Sequence, residues 1–332
     1  MIGFGFIGAS QMAQNHMLPA IRHHPDCDVV SVYSTSAERG QAYAAANQIA
    51  QSTTSLAELL ANPGVQAVYI STTNERHHAQ ALAAARAGKH VWCEKPLAMT
   101  VAEAQEMVAV CREQQVVLAT NHHLRNASAH RRMRELIAAG AIGEPLAVRV
   151  FHATYLRESL QGWRLHKPQA GAGVVLDIAV HGIDTMRYVL QAEPVEVVSL
   201  SQHYGMASET IEDGSMAVFR FDNGVLAQLH TAFTVKYSDS GFEVHGTEGS
   251  LIGRHSMKHP PGAELILRNA DGEQSLELDN EPLHHIGTQR FVGAIQGRGE
   301  PAATGEDGLR SLAAALACLK AATSGGKQTI TV

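Results

Sequence analysis

The first 121 residues alternate short β-branched runs with alanine-rich amphipathic stretches. Such alternation is typical of βαβ units, in which successive strands lie parallel and helices cover the sheet. The predicted strands are Ile2 to Ile7, Val29 to Tyr33, Ala67 to Ser71, Lys89 to Cys93 and Val116 to Thr120. The predicted helices are Gln11 to His23, Ala37 to Asn47, Ser55 to Leu60, Glu75 to Ala87 and Val101 to Glu113. We expect an α/β domain with a doubly wound parallel sheet over residues 1–121.

The pattern changes after Asn121. A predicted helix, Ala127 to Ala139, is followed by mainly strand-like runs: Ala147 to His152, Val195 to Gln202, Met216 to Phe221, Val225 to Thr231 and Phe242 to His245. Turns such as Asp222-Asn223-Gly224 between them indicate a mainly antiparallel open sheet. Residues 122–332 are therefore predicted to form a second, α+β domain, and a final helix within 303–324 is expected to pack at the domain junction.

Two of these later strands show a period of two. Buried-type residues (Ala217, Phe219, Ala227) alternate with polar ones (Arg220, Gln228), so one sheet face is expected to be buried and the other partly wet. A wet face favours a monomer.

Composition excludes several classes of partner. The 332 residues are 45% hydrophobic and carry a formal net charge of −6, and no basic block could neutralise a phosphate backbone, so we expect no nucleic acid partner. The apolar runs are short, and the first residues lack the pattern of a secretory leader, so we expect neither membrane insertion nor export. The cysteines are scattered without a C-x-x-C pair, which favours a reducing cytoplasm.

A literal G-x-G-x-x-G at Gly3, Gly5 and Gly8 lies inside the first predicted strand, so its context is wrong for a phosphate loop. The useful register begins where that strand ends, and its residues are Gly8, Ala9, Ser10, Gln11, Met12 and Ala13. In this register Gly8 makes the tight turn and Ser10 lies where the backbone approaches a pyrophosphate at a helix N-terminus. The pattern predicts a Rossmann-type dinucleotide site; the alternative is an ordinary βα turn.

The end of the second strand carries a hydroxyl where an NAD-specific site would place an acid. Ser34 occupies that position, and Arg39 lies one turn into the next helix. A hydroxyl with a guanidinium suits a 2′-phosphate, so we expect a preference for NADPH. The alternative is that Ser34 and Ser36 are only helix caps and Arg39 is a solvated helix residue.

Two further motifs carry acid-base chemistry. Glu94-Lys95-Pro96 follows a strand at the carboxyl edge of the predicted sheet, where a partly desolvated lysine can donate to a developing alkoxide. Asp177 and His181 are spaced i,i+4 and share one helical face, so an acid and an imidazole could bind a hydroxyl and transfer a proton. The alternatives are a surface charge pair before a turn and a capped helix with a buried structural histidine.

Together the phosphate loop, Glu94-Lys95-Pro96, the run from Gly171 to His181 and Thr304-Gly305-Glu306-Asp307-Gly308 resemble the glucose-fructose oxidoreductase/inositol dehydrogenase (Gfo/Idh/MocA) family over nearly the whole chain. In that family the matching lysine lies beside the nicotinamide and the substrate. This sequence departs from the G-G-G-x-x-x-D-x-x-x-H pattern at Ala172. The resemblance implies that NADPH delivers hydride to a small sugar-derived ketone, that Lys95 polarises the carbonyl oxygen, and that His181, held with Asp177, supplies the proton.

The resemblance also implies the remaining cofactor contacts. Ala9 to Met12 would hold the pyrophosphate, and Ser34, Thr35 and Arg39 the 2′-phosphate. The ribose and nicotinamide would be contacted by Thr72, Thr73, Asn74, His77, Glu94, Lys95 and Asn121, and from the second domain by Trp163 and Arg164. His284 stands where a branch of the family has a tyrosine that contacts the cofactor.

Histidines are numerous but do not predict a metal. Adjacent pairs such as His122 and His123 do not face one ligand together on a helix, and no H-x-x-x-H with a nearby carboxylate occurs, so we expect no metal. His122 and His123 follow the last strand of the first domain and either line the substrate pocket or have a hydrogen-bonded structural role.

Two other functions stay open from the sequence. A polyol or inositol-type dehydrogenase would use the same residues in the oxidative direction with another substrate. A regulatory protein that senses a dinucleotide without chemistry would keep the fold but not need Lys95, Asp177 and His181.

Overall fold

The computed structural model describes residues 1–257 and 262–332. Its strands are β1 (Ile2–Ile7), β2 (Cys27–Tyr33), β3 (Gln51–Thr53), β4 (Ala67–Ile70), β5 (His90–Cys93), β6 (Leu118–Thr120), β7 (Pro145–Ala153), β8 (Pro194–Gln202), β9 (Gly214–Phe221), β10 (Leu226–Ala232), β11 (Gly241–Gly246), β12 (Gly249–Arg254), β13 (Glu264–Asn269), β14 (Gly272–Leu276) and β15 (Gln328–Thr329). Its α-helices are α1 (Leu18–His23), α2 (Ala37–Ala46), α3 (Leu56–Ala61), α4 (His77–Arg86), α5 (Val101–Glu113), α6 (Ser128–Ala138), α7 (Trp163–His166), α8 (Val180–Leu190), α9 (Leu283–Ile295) and α10 (Gly305–Ser324).

Shorter helical turns join some of these elements. Two π-helical turns, Ala13–Met17 and Val175–Ala179, run directly into α1 and α8. Single 3₁₀ turns are formed by Asn74–Arg76, His123–Asn126, Glu158–Leu160 and Pro168–Ala170.

The chain divides into two compact units. The nucleotide unit contains Met1–His123 and Glu281–Leu309, and the sheet unit contains Leu124–Asn280 and Arg310–Val332. This division differs from the predicted single boundary at residue 121, because a late segment returns to the first unit. There, Phe291 of α9 contacts Phe4 and Trp92, with ring centroids 6.1 and 5.0 Å apart. A contiguous pattern along the sequence could not place that return, and the predicted packing of the last helix at the domain junction stays a prediction.

The nucleotide unit is built on a parallel sheet in the order β3-β2-β1-β4-β5-β6. The five predicted strands are confirmed, while β3 at the sheet edge was not predicted. Helix α5 begins where expected because Thr100 and Glu103 form a reciprocal capping box. The core of the sheet is aromatic, with Phe4, Phe6 and Tyr69 fully buried.

The sheet unit contains a mixed sheet in the order β14-β13-β12-β11-β7-β10-β9-β8-β15. The β7–β10 pair is parallel and the other neighbours are antiparallel, so the predicted, mainly antiparallel α+β unit is confirmed. The turn through Gly224 joins β9 and β10 as a hairpin, and Gly224 has φ +87° there.

The predicted period of two in β9 and β10 is confirmed, with Ala217, Phe219 and Ala227 buried. The opposite face is less polar than expected. Together with Arg220 and Gln228 it exposes large apolar side chains from β8, β9 and β10: Val198, Leu200, Met216, Val218 and Leu226. The sequence pattern therefore predicted a more polar face than the structure shows. That polarity was the reason for expecting a monomer, so the oligomeric state stays a prediction.

No helix in the described part of the chain is both long enough and apolar enough to cross a lipid bilayer.

A buried ionic network ties α8 to its surroundings in the sheet unit. Asp184, 1% exposed, accepts two hydrogen bonds from Arg125 at 2.8 and 2.7 Å. Arg187 donates to the same carboxylate at 3.4 Å and Ser311 at 3.0 Å. Four donors on one carboxylate offset the cost of removing its charge from water.

We expect Asp184→Ala to lower the free energy of unfolding by about 3–5 kcal/mol, because it leaves the guanidinium groups of Arg125 and Arg187 buried without their shared partner. Urea unfolding followed by circular dichroism measures this. The control is Glu135→Ala, which breaks the exposed pair with Arg132 and should change stability little. Equal losses in both variants would contradict the account.

Candidate functional site

The predicted cofactor residues of the nucleotide unit follow the carboxyl ends of its parallel strands. Gly8 follows β1, Ser34 follows β2, Thr72 comes just after β4, Glu94 follows β5 and Asn121 follows β6. All of these strand ends lie at one edge of the sheet. The strand order reverses between β1 and β4, and ligands of open α/β sheets bind at such a switch point.

The turn after β1 has the features of a phosphate loop. Gly8 has φ +108°, and a Cβ on it would lie 3.2 Å from the backbone of Ser71. Ser10 Oγ accepts the N–H of Ala13 at 3.0 Å and donates to Ser71 Oγ at 2.8 Å. The literal glycine motif is excluded, since Gly3 and Gly5 lie inside β1.

The helix that follows leaves donors for an anion. Its first backbone bond runs from Gln14 N–H to Ser10 O at 3.0 Å. The N–H groups of Gln11 and Met12 precede that bond, so they must find partners outside the helix. A pyrophosphate suits this loop chemically, because its oxygens accept such hydrogen bonds and its charge favours a helix N-terminus.

The structure brings the predicted 2′-phosphate residues together. Arg39 Nε donates to Ser34 Oγ at 3.2 Å, and its Nη2 donates to Thr35 Oγ1 at 3.2 Å. Ser36 is the N-cap of α2 and accepts the Arg39 N–H at 3.2 Å. Ser36 is thus a helix cap and Arg39 is exposed, as the alternative expects, while the Arg39 guanidinium bonds Ser34 and Thr35; the 2′-phosphate contact stays a prediction.

The segment after β5 is fixed by a polar network inside the nucleotide unit. Asn121 Nδ2 donates to Glu94 Oε1 at 2.6 Å and lies 3.3 Å from the hydroxyl of Tyr69. The Tyr69 hydroxyl also donates to Glu94. Burial raises the pKa of Tyr69 well above its usual range, and the nearby charge of Glu94 adds to this. Tyr69 is thus a neutral donor that orients the residue next to Lys95.

His77 lies between two loops of the nucleotide unit, and its predicted contact with the cofactor stays a prediction. It is fully buried, with Nδ1 2.9 Å from the carbonyl oxygen of Pro96 and Nε2 3.3 Å from that of Thr72. Burial lowers the pKa of His77, against the effect of these two carbonyls. A neutral imidazole donates to only one of these two carbonyls, and the shorter contact is that of Nδ1 with Pro96, a bond that holds the segment after Lys95 in place.

The other residues of the loop after β4 also bond locally. Thr72 Oγ1 donates to Gln80 at 2.7 Å, Thr73 Oγ1 donates to Glu75 at 2.7 Å, and Asn74 is buried. Their predicted contacts with the ribose stay predictions.

His284 lies in the first turn of α9, which belongs to the nucleotide unit. Its ring centroid is 5.1 Å from that of His16 and 5.4 Å from that of His123. His16 belongs to the π-helical turn after the phosphate loop. The structure therefore brings His284 to the helix that the pyrophosphate is predicted to approach. His122 and His123 are both buried.

Asp177 of the sheet unit belongs to the π-helical turn Val175–Ala179, and His181 belongs to α8, which follows it directly. Their predicted sharing of one helical face stays a prediction. Each is 7% exposed. Arg164 Nε donates to Asp177 Oδ2 at 3.2 Å, and the Arg164 guanidinium lies 4.6 Å from the centre of the Trp163 ring. Arg164 therefore orients Asp177, a contact that the sequence did not predict.

Ala172, which stands where the family pattern has the middle one of three glycines, introduces no backbone strain. Gly171 and Gly173 have φ of +81° and +112°, a region that side chains rarely adopt. Ala172 is not among the described residues with positive φ. Glycine is thus required on either side of Ala172 and not at it.

Within residues 1–257 and 262–332, no group of three or more His, Cys, Asp or Glu side chains is arranged to hold a metal ion. The described cysteines are free and buried. Burial raises the pKa of Cys27 to about 11 and that of Cys111 to about 12, so both are thiols at neutral pH.

A model of the oxidoreductase family with an NAD-binding Rossmann fold matches residues 2–122, and a model of the GFO/IDH/MocA C-terminal domain matches residues 130–252. The 1,5-anhydro-D-fructose reductase of Ensifer adhaerens is 57% identical over 97% of this chain and 96% of its own length. The NADP(+) D-xylose 1-dehydrogenase of Haloarcula marismortui is 28% identical over 93% and 87%.

Among solved structures, aldose-aldose oxidoreductase from Caulobacter crescentus superposes with a TM-score of 0.91 at 24% identity, covering 99% of both chains. That likeness supports the fold. The two family models and the 57% identical relative together establish that this chain belongs to the Gfo/Idh/MocA oxidoreductase family.

Proposed function

We propose that this protein catalyses the NADPH-dependent reduction of the 2-keto group of 1,5-anhydro-D-fructose to 1,5-anhydro-D-mannitol. The observation that carries the proposal is the 57% identity to 1,5-anhydro-D-fructose reductase over 97% of the chain. The Lys95, Asp177 and His181 set supports a catalytic protein rather than a dinucleotide sensor.

The preference for NADPH is proposed from charge and geometry. Arg39 lies 3.2 Å from both Ser34 Oγ and Thr35 Oγ1, so a cation and two hydroxyl groups meet where β2 ends. A 2′-phosphate would accept charge-assisted hydrogen bonds there, whereas a carboxylate in place of Ser34 would repel it.

The chain's residues divide the reaction between them. When bound, a nicotinamide cofactor would supply the hydride for the keto carbon. Lys95 donates a hydrogen bond to the carbonyl oxygen and stabilises the negative charge that develops there. His181 gives a proton to that oxygen, and Asp177, itself oriented by Arg164, holds the imidazole.

Several neighbouring residues hold the chain on either side of Lys95 in place. Tyr69 and Asn121 hold Glu94, and His77 holds the loop after Lys95, so the lysine is fixed from both sides along the chain. We assign Trp163 and Arg164 to the cofactor side as well, as the resemblance implies.

We also propose a cytoplasmic location, supported by the free, buried cysteines. A monomeric state and the absence of a nucleic acid partner stay predictions from the sequence, the second of them supported by the net charge of −6.

We expect loss of reduced-nicotinamide absorbance with 1,5-anhydro-D-fructose, faster with NADPH than with NADH at equal concentrations. Product analysis should give 1,5-anhydro-D-mannitol. Tight NADPH binding without turnover of this ketone would reject the substrate; oxidation of a polyol or inositol instead would favour the dehydrogenase alternative.

Lys95→Met removes the donor to the developing alkoxide, so kcat should fall by roughly 10²–10⁴-fold, while the Kd for NADPH, measured by fluorescence titration, changes far less. Lys320→Met, at an exposed position of α10, is the matched control and should keep wild-type kinetics. Unchanged turnover in Lys95→Met would remove Lys95 from the mechanism.

Arg39→Ala loses charge-assisted hydrogen bonds of about 1.5–3 kcal/mol, which weakens NADPH binding by roughly 10–100-fold. NADH binding should change little, because NADH lacks the 2′-phosphate. Arg86→Ala removes another exposed arginine and should leave the ratio of the two affinities as it was. An intact NADPH preference in Arg39→Ala would show that the 2′-phosphate lies elsewhere.

A further inference from the structure

A buried acid outside the predicted catalytic set lies at the start of the helix that carries Asp177. Glu212 comes two residues before β9 and is 8% exposed. Its Oε1 accepts the N–H of Val175 at 3.0 Å, and its backbone oxygen accepts the N–H of Val174 at 3.1 Å. Glu212 therefore takes two successive N–H groups that the helix cannot satisfy itself.

The carboxyl group of Glu212 fits only because residue 173 is a glycine. An ideal Cβ on Gly173 would lie 2.3 Å from Glu212 Oε1 and 2.6 Å from Oε2. Any side chain there would push the carboxyl group away from Val175, in addition to the strain of φ +112°. The second glycine of the Gly171-Ala172-Gly173 run is thus explained by the partner it accommodates.

Glu212 is itself held in place. The adjoining Asp213 is fully buried and accepts the N–H of Tyr204 at 2.9 Å and of Met206 at 3.0 Å. Its backbone N–H donates to Gln202 O at 3.0 Å. The segment before β9 is therefore anchored to the end of β8, and Glu212 is a fixed point rather than a mobile surface group.

The same helix start is connected to the partner of Asp177. The N–H of Gly173 donates to the backbone oxygen of Arg164 at 3.0 Å, and Arg164 Nε bonds Asp177 at 3.2 Å. Asp177 is therefore held at both ends: its backbone follows a turn fixed by Glu212, and its carboxylate is bonded by Arg164.

We propose that Glu212 is a positioning residue for the ketone reduction, which fixes the first turn of the helix and so directs Asp177, and through the next turn His181, at the substrate oxygen. This inference rests on the proposed function of Asp177 and His181. Glu212 acts through its hydrogen bond to Val175.

The positioning role of Glu212 depends on a side-chain oxygen that accepts the Val175 N–H, and not on the negative charge of the carboxylate. Burial raises the pKa of Glu212, and the Val175 N–H opposes that effect, as does the nearby His203; the charge of Asp213 adds to it. Both protonation states keep an oxygen that can accept the Val175 N–H. Glutamine keeps such an oxygen at the same distance along the side chain, aspartate withdraws it by one methylene, and alanine removes it.

The experiment compares Glu212→Ala, Glu212→Asp and Glu212→Gln in the full-length protein with NADPH and 1,5-anhydro-D-fructose. Because a misplacement of about 1 Å can cost roughly 10²-fold in rate, we expect kcat of the Ala and Asp variants to fall by about 10–100-fold. The KM for the ketone should change by less than about threefold, and the Gln variant should recover kcat to within about threefold of wild type. Glu209→Ala, an exposed glutamate of the same connection, is the control and should match wild type.

A readout besides activity separates positioning from general stability. Hydrogen exchange of the peptide covering residues 173–181 should speed up in the Ala and Asp variants and return towards wild type in the Gln variant. Thermal unfolding identifies a variant that does not fold, in which case the Asp and Gln pair carries the comparison.

Two outcomes would overturn the proposal. One is wild-type kcat in a folded Ala or Asp variant, and the other is a Gln variant as slow as the Ala variant. Failure of the proposed function looks different, since Asp177→Asn and His181→Ala would then keep wild-type kcat. Slow Asp177 and His181 variants beside a fast Glu212→Ala would reject the positioning role alone.

Discussion

The carboxyl ends of parallel strands lie at the same edge of a sheet, and the nucleotide unit depends on this constraint. Hydrogen bonding between parallel neighbours puts the residues after β1, β2, β4, β5 and β6 at one edge of one sheet. Gly8 and Asn121 meet this edge although 113 positions separate them in the sequence. Polar side chains at that edge then bond to each other, as Asn121 does to Glu94 and Arg39 to Ser34. The edge is therefore organised by the sheet first and by side chains second.

Much of this arrangement could be predicted because periodicity is local. The strands of the nucleotide unit, the phosphate turn at Gly8 and the meeting of Arg39 with Ser34 all depend on residues close in sequence. β3 escaped prediction because Gln51–Thr53 is short and polar, and its pairing with β2 satisfies the backbone without an apolar signal. Tyr69 escaped because its ring fits the apolar pattern of β4, and only its hydroxyl group reaches Glu94.

The sheet unit was harder to predict, for a different physical reason. Its order, with β7 between β10 and β11, comes from pairings between distant segments, which no local period encodes. The ion pair of Arg164 with Asp177 and the bond of Glu212 to Val175 are likewise contacts between separate segments. A glycine at position 173 was visible in the sequence, but the carboxyl group that needs the space became visible only with the fold.

The π-helical turn Val175–Ala179 sets the directions in which Asp177 and His181 point around the helix axis. A π turn holds about one residue more than the α turn it replaces, and each residue of an α-helix turns the side-chain direction by about 100°. Removing one residue between Asp177 and His181 would leave the helix almost as long but rotate the aspartate about a quarter of the way round its axis. A related protein with the same aspartate and histidine but one residue fewer between them would therefore place the aspartate against different neighbours. The spacing of the two residues matters as much as their identity.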